Sequence, residues 1–190
     1  MSPILVRPVR EQLEHDRIIR LLQVRNRRRY EVAINPGNEQ NAVVGSGALA
    51  MYPDLVLMST ERGRRLQGII EVETGESVNH LEAMAQWARL ARLRAPFHLY
   101  VPAGSVDSAR RFCLENQITV AEIWTYHTIG DQVRFTMVHR ASAESRAASR
   151  AQRSRQPAPA RGRKVVARGA KAGRSRSKKV AKTARPARRK

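Results

Sequence analysis

Apolar positions in VREQLEHDRIIRLLQV (residues 9–24) recur at near-helical spacing, with Leu13, Ile18, Leu21 and Leu22 forming one stripe, which predicts an amphipathic helix. NRRRYEVAINPG follows as a short strand closed by an Asn35-Pro36-Gly37 turn. NEQNAVVGSGALAM is rich in glycine and small residues and reads as a mobile loop. YPDLVLMS is a strand that opens on Pro53, a residue tolerated at a first strand position. After the ERGRR turn comes LQGIIEVET, another strand.

Residues 76–94 carry the clearest helical pattern. Val78, Leu81, Ala85, Ala88 and Ala91 make a stripe with Trp87 and Leu90 beside it, and Asn79, Glu82, Gln86 and Arg89 make the polar face. PFHLYVPAG predicts a strand, and SVDSARRFCLEN a helix capped by Ser105. QITVAEIWTY and DQVRFTMVH predict two strands around an Ile129-Gly130-Asp131 turn. The order αβββαβαββ, with βαβ units in its middle, implies an α/β fold with parallel pairing there.

From about Ala141 the apolar pattern stops. Residues 141–190 hold 18 Lys/Arg against one acid (Glu144), a net +17 of the chain's +20. Residues 1–140 hold the other 18 basic residues against 15 acids, a net +3. The expected organisation is therefore an α/β domain over residues 1–140 and a disordered basic tail over 141–190, too poor in apolar residues to repay the cost of ordering.

Such a polycation binds polyanions with strong salt dependence and no sequence preference. Its candidate nucleic-acid contacts are Arg161, Arg163, Lys164, Arg168, Lys171, Arg174, Arg176, Lys178, Lys179, Lys182, Arg185, Arg188, Arg189 and Lys190. DNA is the expected partner, with RNA offering the same phosphates. No membrane partner is expected, because no run reaches the apolar length of a span. A homodimer is compatible with the size, and the expected location is the cytoplasm, with the nucleoid.

Every basic residue in 1–140 is an arginine, which excludes lysine-dependent chemistry such as a P-loop or a Schiff base from that part. The one cysteine, Cys113, excludes a disulfide framework or a cysteine-built zinc site and reads as an inert apolar residue. His15, His80, His98, His127 and His139 show no metal-ligand spacing. Trp87, Trp124 and Tyr126 read as core.

The feature that calls for chemistry is GIIEVETGES. Strand alternation puts Glu71 and Glu73 on one face, roughly 6–7 Å apart, beneath an otherwise apolar strand. Asp54 begins the preceding strand, so the three carboxylates can converge if those strands are neighbours. Clustered carboxylates repel one another unless a raised pKa, an arginine partner (Arg62, Arg64 or Arg65) or a divalent cation relieves them. Mg2+ or Mn2+ suits such a donor set.

Pro53-Asp54, a loop, and then Glu71-Val72-Glu73 resemble the PD-(D/E)xK signature of the restriction-endonuclease-like nucleases. The order of elements over about residues 10–125 is similar too: a helix, a three-strand meander, a helix and a strand. GSGALAMYPDLVLM is similar to the loop and strand of archaeal Holliday-junction resolvases in that superfamily. The resemblance implies a restriction-endonuclease-like mixed sheet flanked by helices. It also implies a metal held by Asp54, Glu71 and the Val72 carbonyl, and hydrolysis of DNA phosphodiesters. The family lysine falls at Glu73, where the sequence departs. Some restriction endonucleases carry glutamate there and still cut, so Glu73 takes the role of second-metal ligand or water-orienting base. Glu14 or Glu11 matches the first-helix acid of many relatives. Gln86 resembles the glutamine of the RecB-like branch, whose tyrosine four positions later is Leu90 here. The rival reading is a nuclease fold that has lost catalysis and binds DNA, with a tail similar to those of linker histones. A glycosidase is a poor third fit, because the chain is small and the carboxylate pair shares one strand with no aromatic platform nearby.

Overall fold

A computed structural model describes residues 8–93 and 95–142. Alternating side chains divide one mixed sheet into two apolar faces, each covered by helix. The sheet has six strands in sequential order: β1 (Glu31–Ile34), β2 (Leu55–Met58), β3 (Leu66–Val72), β4 (Phe97–Pro102), β5 (Glu122–Ile129) and β6 (Gln132–Arg140). The first three form an antiparallel meander; β3–β4 and β4–β5 pair in parallel, as the βαβ order predicts; β5–β6 is an antiparallel hairpin. Gly130, with φ +55°, supplies the left-handed residue of its two-residue turn.

On one face Leu55, Leu57, Ile70, Val72, Tyr100 and Tyr126 pack beneath helix α1 (Val9–Asn26). On the other, Val56, Ile69, Leu99, Val101 and Ile123 pack beneath two further helices. The first of these, α2, is built from His80–Glu82, a π-helical turn Ala83–Trp87, and Ala88–Leu90. The second, α3, is Val106–Glu115. Among the described residues no helix is long and apolar enough to cross a membrane. The basic tail lies outside the described residues, apart from its first two positions. Ala141 is buried and its N–H donates to the Ala121 carbonyl, so the folded domain runs past residue 140.

Two predicted stripes are placed differently in the fold. In α1 the buried residues are His15, Ile18, Ile19 and Leu22, while Leu13 is 67% exposed. The inward face is the i, i+3, i+4, i+7 set starting from a histidine. In α2 the buried residues are Ala83, Trp87 and Leu90, and Leu81 is 70% exposed. The helix starts later than the pattern suggests, at the Asn79 cap, whose side chain accepts from the Glu82 N–H. Its π-helical turn then carries extra residues per turn, so a strict 3.6 period drifts out of phase.

The stretch read as a mobile loop closes on itself through a Val44–Met51 bridge around a 3-10 turn, Gly47–Leu49. Gly45 is required there: it sits at φ +87°, and a Cβ would lie 2.4 Å from the Leu49 carbonyl oxygen. Cys113 is buried against the α3 side of the core, and burial pushes its thiol up to about 12, in keeping with an inert residue.

At the far ends of β4–β6, Glu122 accepts from the Trp124 indole (2.8 Å) and the Arg140 guanidinium (3.0 Å), and lies 3.2 Å from His98 Nδ1. Burial pulls the His98 pKa below 6.5, against the pull of Glu122. Burial also pushes Glu122 up, but the indole, His98 and Arg140 together outweigh it and hold the carboxyl below 4.5. Both shifts leave the unfolded chain binding more protons in acid, so both contributions to stability are lost as pH falls, from about 6.5 for His98 and from about 4.5 for Glu122. The melting temperature should therefore drop in two stages, one as pH falls from about 6.5 and a second that begins near 4.5 and continues into more acid solution. His98→Asn should remove the upper stage, which thermal unfolding across pH will read.

Candidate functional site

The ends of β2 and β3 next to α1 and α2 open into a cleft of about 720 Å3. Glu11, Glu39, Asp54, Glu71, Glu76 and Glu82 line it, and the described lining residues include no lysine or arginine. In a chain of net +20 this is a local inversion of sign.

Two carboxylates at its wall are tied together through the backbone. The Val72 N–H donates to Asp54 Oδ2 at 2.8 Å, and the Asp54 N–H points to Glu71 Oε2 at 3.3 Å. This exchange follows from the antiparallel register, in which Leu55 faces Ile70, so that Asp54 and Glu71 sit side by side where β2 begins. Asp54 is 7% and Glu71 2% exposed. Glu71 Oε1 also accepts from the Gln86 side-chain amide. Gln86, on the predicted polar face of its helix, is half-buried and faces the cleft.

His15 holds the other side of Asp54. Its Nε2 lies 3.2 Å from Asp54 Oδ2 and its Nδ1 3.3 Å from Asp16 Oδ1. Asp16 in turn accepts from Gln12 (2.7 Å) and from the Gly37 N–H (2.9 Å). A chain of polar contacts thus runs from the β1–β2 connection through α1 to the start of β2. Histidine spacing gave no hint of this role. The available signal was the position of His15 on the same inward stripe as Ile18, Ile19 and Leu22. A histidine there is buried and needs a polar partner.

Glu73 and Glu14 lie elsewhere. Glu73 is fully buried, and its Oε1 accepts from the Trp87 indole at 2.6 Å; its backbone carbonyl accepts from the Tyr126 hydroxyl at 2.7 Å. It is not among the residues lining the cleft. Consecutive residues of the π-helical turn, Gln86 and Trp87, therefore reach the two strand glutamates separately. Glu14 is exposed on α1 and also outside the cleft, whereas Glu11 lines it and accepts from the Thr74 hydroxyl at 2.9 Å. Of the three arginines that could have neutralised the carboxylates, Arg64 pairs with Glu31 instead.

Replacing Glu73 tests its structural part. Glu73→Ala leaves a buried indole N–H without its acceptor, which costs about 1–3 kcal/mol. Glu73→Gln keeps a carbonyl oxygen for the indole and should cost less than about 1 kcal/mol. Urea denaturation of both variants gives the comparison, and an Ala variant as stable as the wild type would remove the bond from the account.

The donors fit a hard divalent cation. Two carboxylates on adjacent strand ends, with the Val72 carbonyl as a candidate third ligand, suit Mg2+ or Mn2+, which keep several waters and complete their shells with phosphate oxygens. Among the described residues no three His, Cys, Asp or Glu side chains gather into a ready-made metal cage. Compared with models of protein families, with curated proteins and with solved structures, the chain matches none.

Proposed function

We propose that the protein is a metal-dependent nuclease that hydrolyses DNA phosphodiesters, built on a restriction-endonuclease-like α/β domain and carrying a basic tail for affinity. The observation that carries this reading is the Asp54–Glu71 pair. Two buried carboxylates from neighbouring strand ends are fixed by backbone N–H groups at the wall of a cleft rich in acids.

In this reading Asp54, Glu71 and the Val72 carbonyl hold Mg2+ or Mn2+. When bound, such an ion supplies Lewis acidity at the phosphate and lowers the pKa of a water. Gln86 orients Glu71, and His15 orients Asp54. Glu73 serves the fold through Trp87 rather than the reacting phosphate. The cleft's own charge repels a phosphodiester, so the substrate enters only where cations offset the carboxylates.

A second reading has its own observation. The position of the family lysine is a buried glutamate, and the described lining of the cleft supplies no cation in its place. A fold that binds DNA without cutting it would look the same there. Plasmid nicking by the purified full chain with Mg2+ or Mn2+ separates the two. Nicking that chelation abolishes is expected; intact plasmid with every divalent ion tried would leave the binding protein as the function.

A further inference from the structure

We propose that the outer face of α1 is a second DNA-binding surface, an arginine rail within the folded domain that acts alongside the tail. It rests on the reading above only in taking DNA as the partner.

At 100° per residue, Arg10, Arg17, Arg20 and Arg27 fall within an arc of about 100°, opposite the buried stripe of His15, Ile18, Ile19 and Leu22. All four are exposed. From Arg10 to Arg27 the rail is about 26 Å long, which matches about eight nucleotides of one strand. Among the described residues none of the four is in an ion pair. Asp16, about 20° outside the arc, is the nearest acid in the helix, and its carboxylate accepts from Gln12 and the Gly37 N–H; Glu14 lies about 40° outside, and Arg17 donates to a neutral backbone carbonyl, that of Asp131. Their charge is therefore available to a ligand.

The placement of the rail gives it a task. Pro8, Glu11, Gln12 and His15, at the start of the same helix, line the acidic cleft. The arginines lie on the opposite side of α1 from Glu11 and His15, so a duplex held on them is kept off the carboxylates by the width of the helix. The rail thus supplies, a helix width away, the attraction that the cleft withholds.

Val9, Leu13, Leu21 and Val24 are also exposed on this face, and a basic amphipathic helix can instead lie on an anionic bilayer. That arrangement needs the apolar residues together, with cations on the flanks. Here Arg17 and Arg20 bracket Leu13 and Val24 in the arc, so insertion of the leucine and valine would carry guanidinium groups into the acyl layer.

The test is the salt dependence of binding to a short DNA duplex by the full chain, with chelator present so that nothing is cut. R10A/R17A/R20A should reduce the slope of log K against log salt by about 2.7, from about 0.9 per phosphate contact. R10A/R20A/R27A, which leaves the Arg17–Asp131 bond in place, should do the same. R62A/R89A/R92A removes three exposed arginines from other surfaces and should change the slope by less than about 1. Equal losses in rail and control variants would mean that only net charge counts, and would overturn the rail. So would an unchanged slope in both rail variants. Loss of binding to anionic vesicles with DNA binding intact would assign the face to a membrane. Because no cleavage is measured, a failed nicking assay leaves this test standing, and a failed rail leaves the carboxylate site standing.

Discussion

Asp54→Asn and Glu71→Gln should each lower plasmid nicking by more than about 100-fold, while the protein still binds DNA through its tail. On the proposed reading, each substitution removes one of the two anionic ligands on which Mg2+ affinity would rest. Binding to the native state alone raises stability by about 2.7 kcal/mol at 100 times Kd, so Mg2+ should raise the wild-type melting temperature. That rise should vanish in both variants. Relief of repulsion alone predicts that they will be more stable without metal. The hydrogen bonds predict otherwise for Glu71: its two oxygens accept from Gln86 and from the Asp54 N–H, and a glutamine offers one acceptor for the two donors. A loss of about 1–2 kcal/mol is expected in metal-free Glu71→Gln, and little change in Asp54→Asn, which can keep an oxygen on the Val72 N–H. Wild-type nicking rates in both variants, or the same Mg2+ response as the wild type, would remove these carboxylates from the chemistry.

The residues behind the pair show how far the sequence could be read. Alternation in LQGIIEVET told which strand carboxylates share a side, and sequential strand order told which strands meet. Both readings rest on local geometry, and the pairing of Asp54 with Glu71 follows from them. The helices carried less information. His15 is polar by type yet occupies a core position, so a stripe chosen by hydrophobicity passes over it and takes exposed Leu13 instead. In α2, Gln86 and Trp87 were separable as polar and core residues, but their separate reach to Glu71 and Glu73 depends on a π-helical turn that a fixed period does not contain. Glu73 shows a different limit. Sequence places it beside Glu71, and only packing reveals that Trp87 takes its carboxylate away from the cleft.

Charge gives the second large effect. The cleft gathers six carboxylates, whereas 18 of the chain's 36 Lys/Arg follow residue 140. On the proposed reading, long-range attraction for DNA would therefore come mainly from outside the cleft. Truncation after Ser142 removes all 18 while keeping Ala141, whose buried N–H closes onto Ala121. A cut after residue 140 would lose that contact and mix a folding defect into the result. The truncated domain should melt cooperatively near the temperature of the full chain. Its DNA affinity should fall by about 10³-fold or more at low salt, and its slope of log K against log salt should shrink to a few units. If the tail neutralises 6–10 phosphates, the full chain loses about 10³–10⁵ in affinity between 50 and 200 mM salt, and the truncated domain far less. The residual slope is informative: about 3.6 units would remain for the four arginines on α1, at about 0.9 per phosphate contact. A truncated domain that holds DNA as tightly as the full chain at the same salt would show that the tail has another task and that the folded surface supplies the affinity.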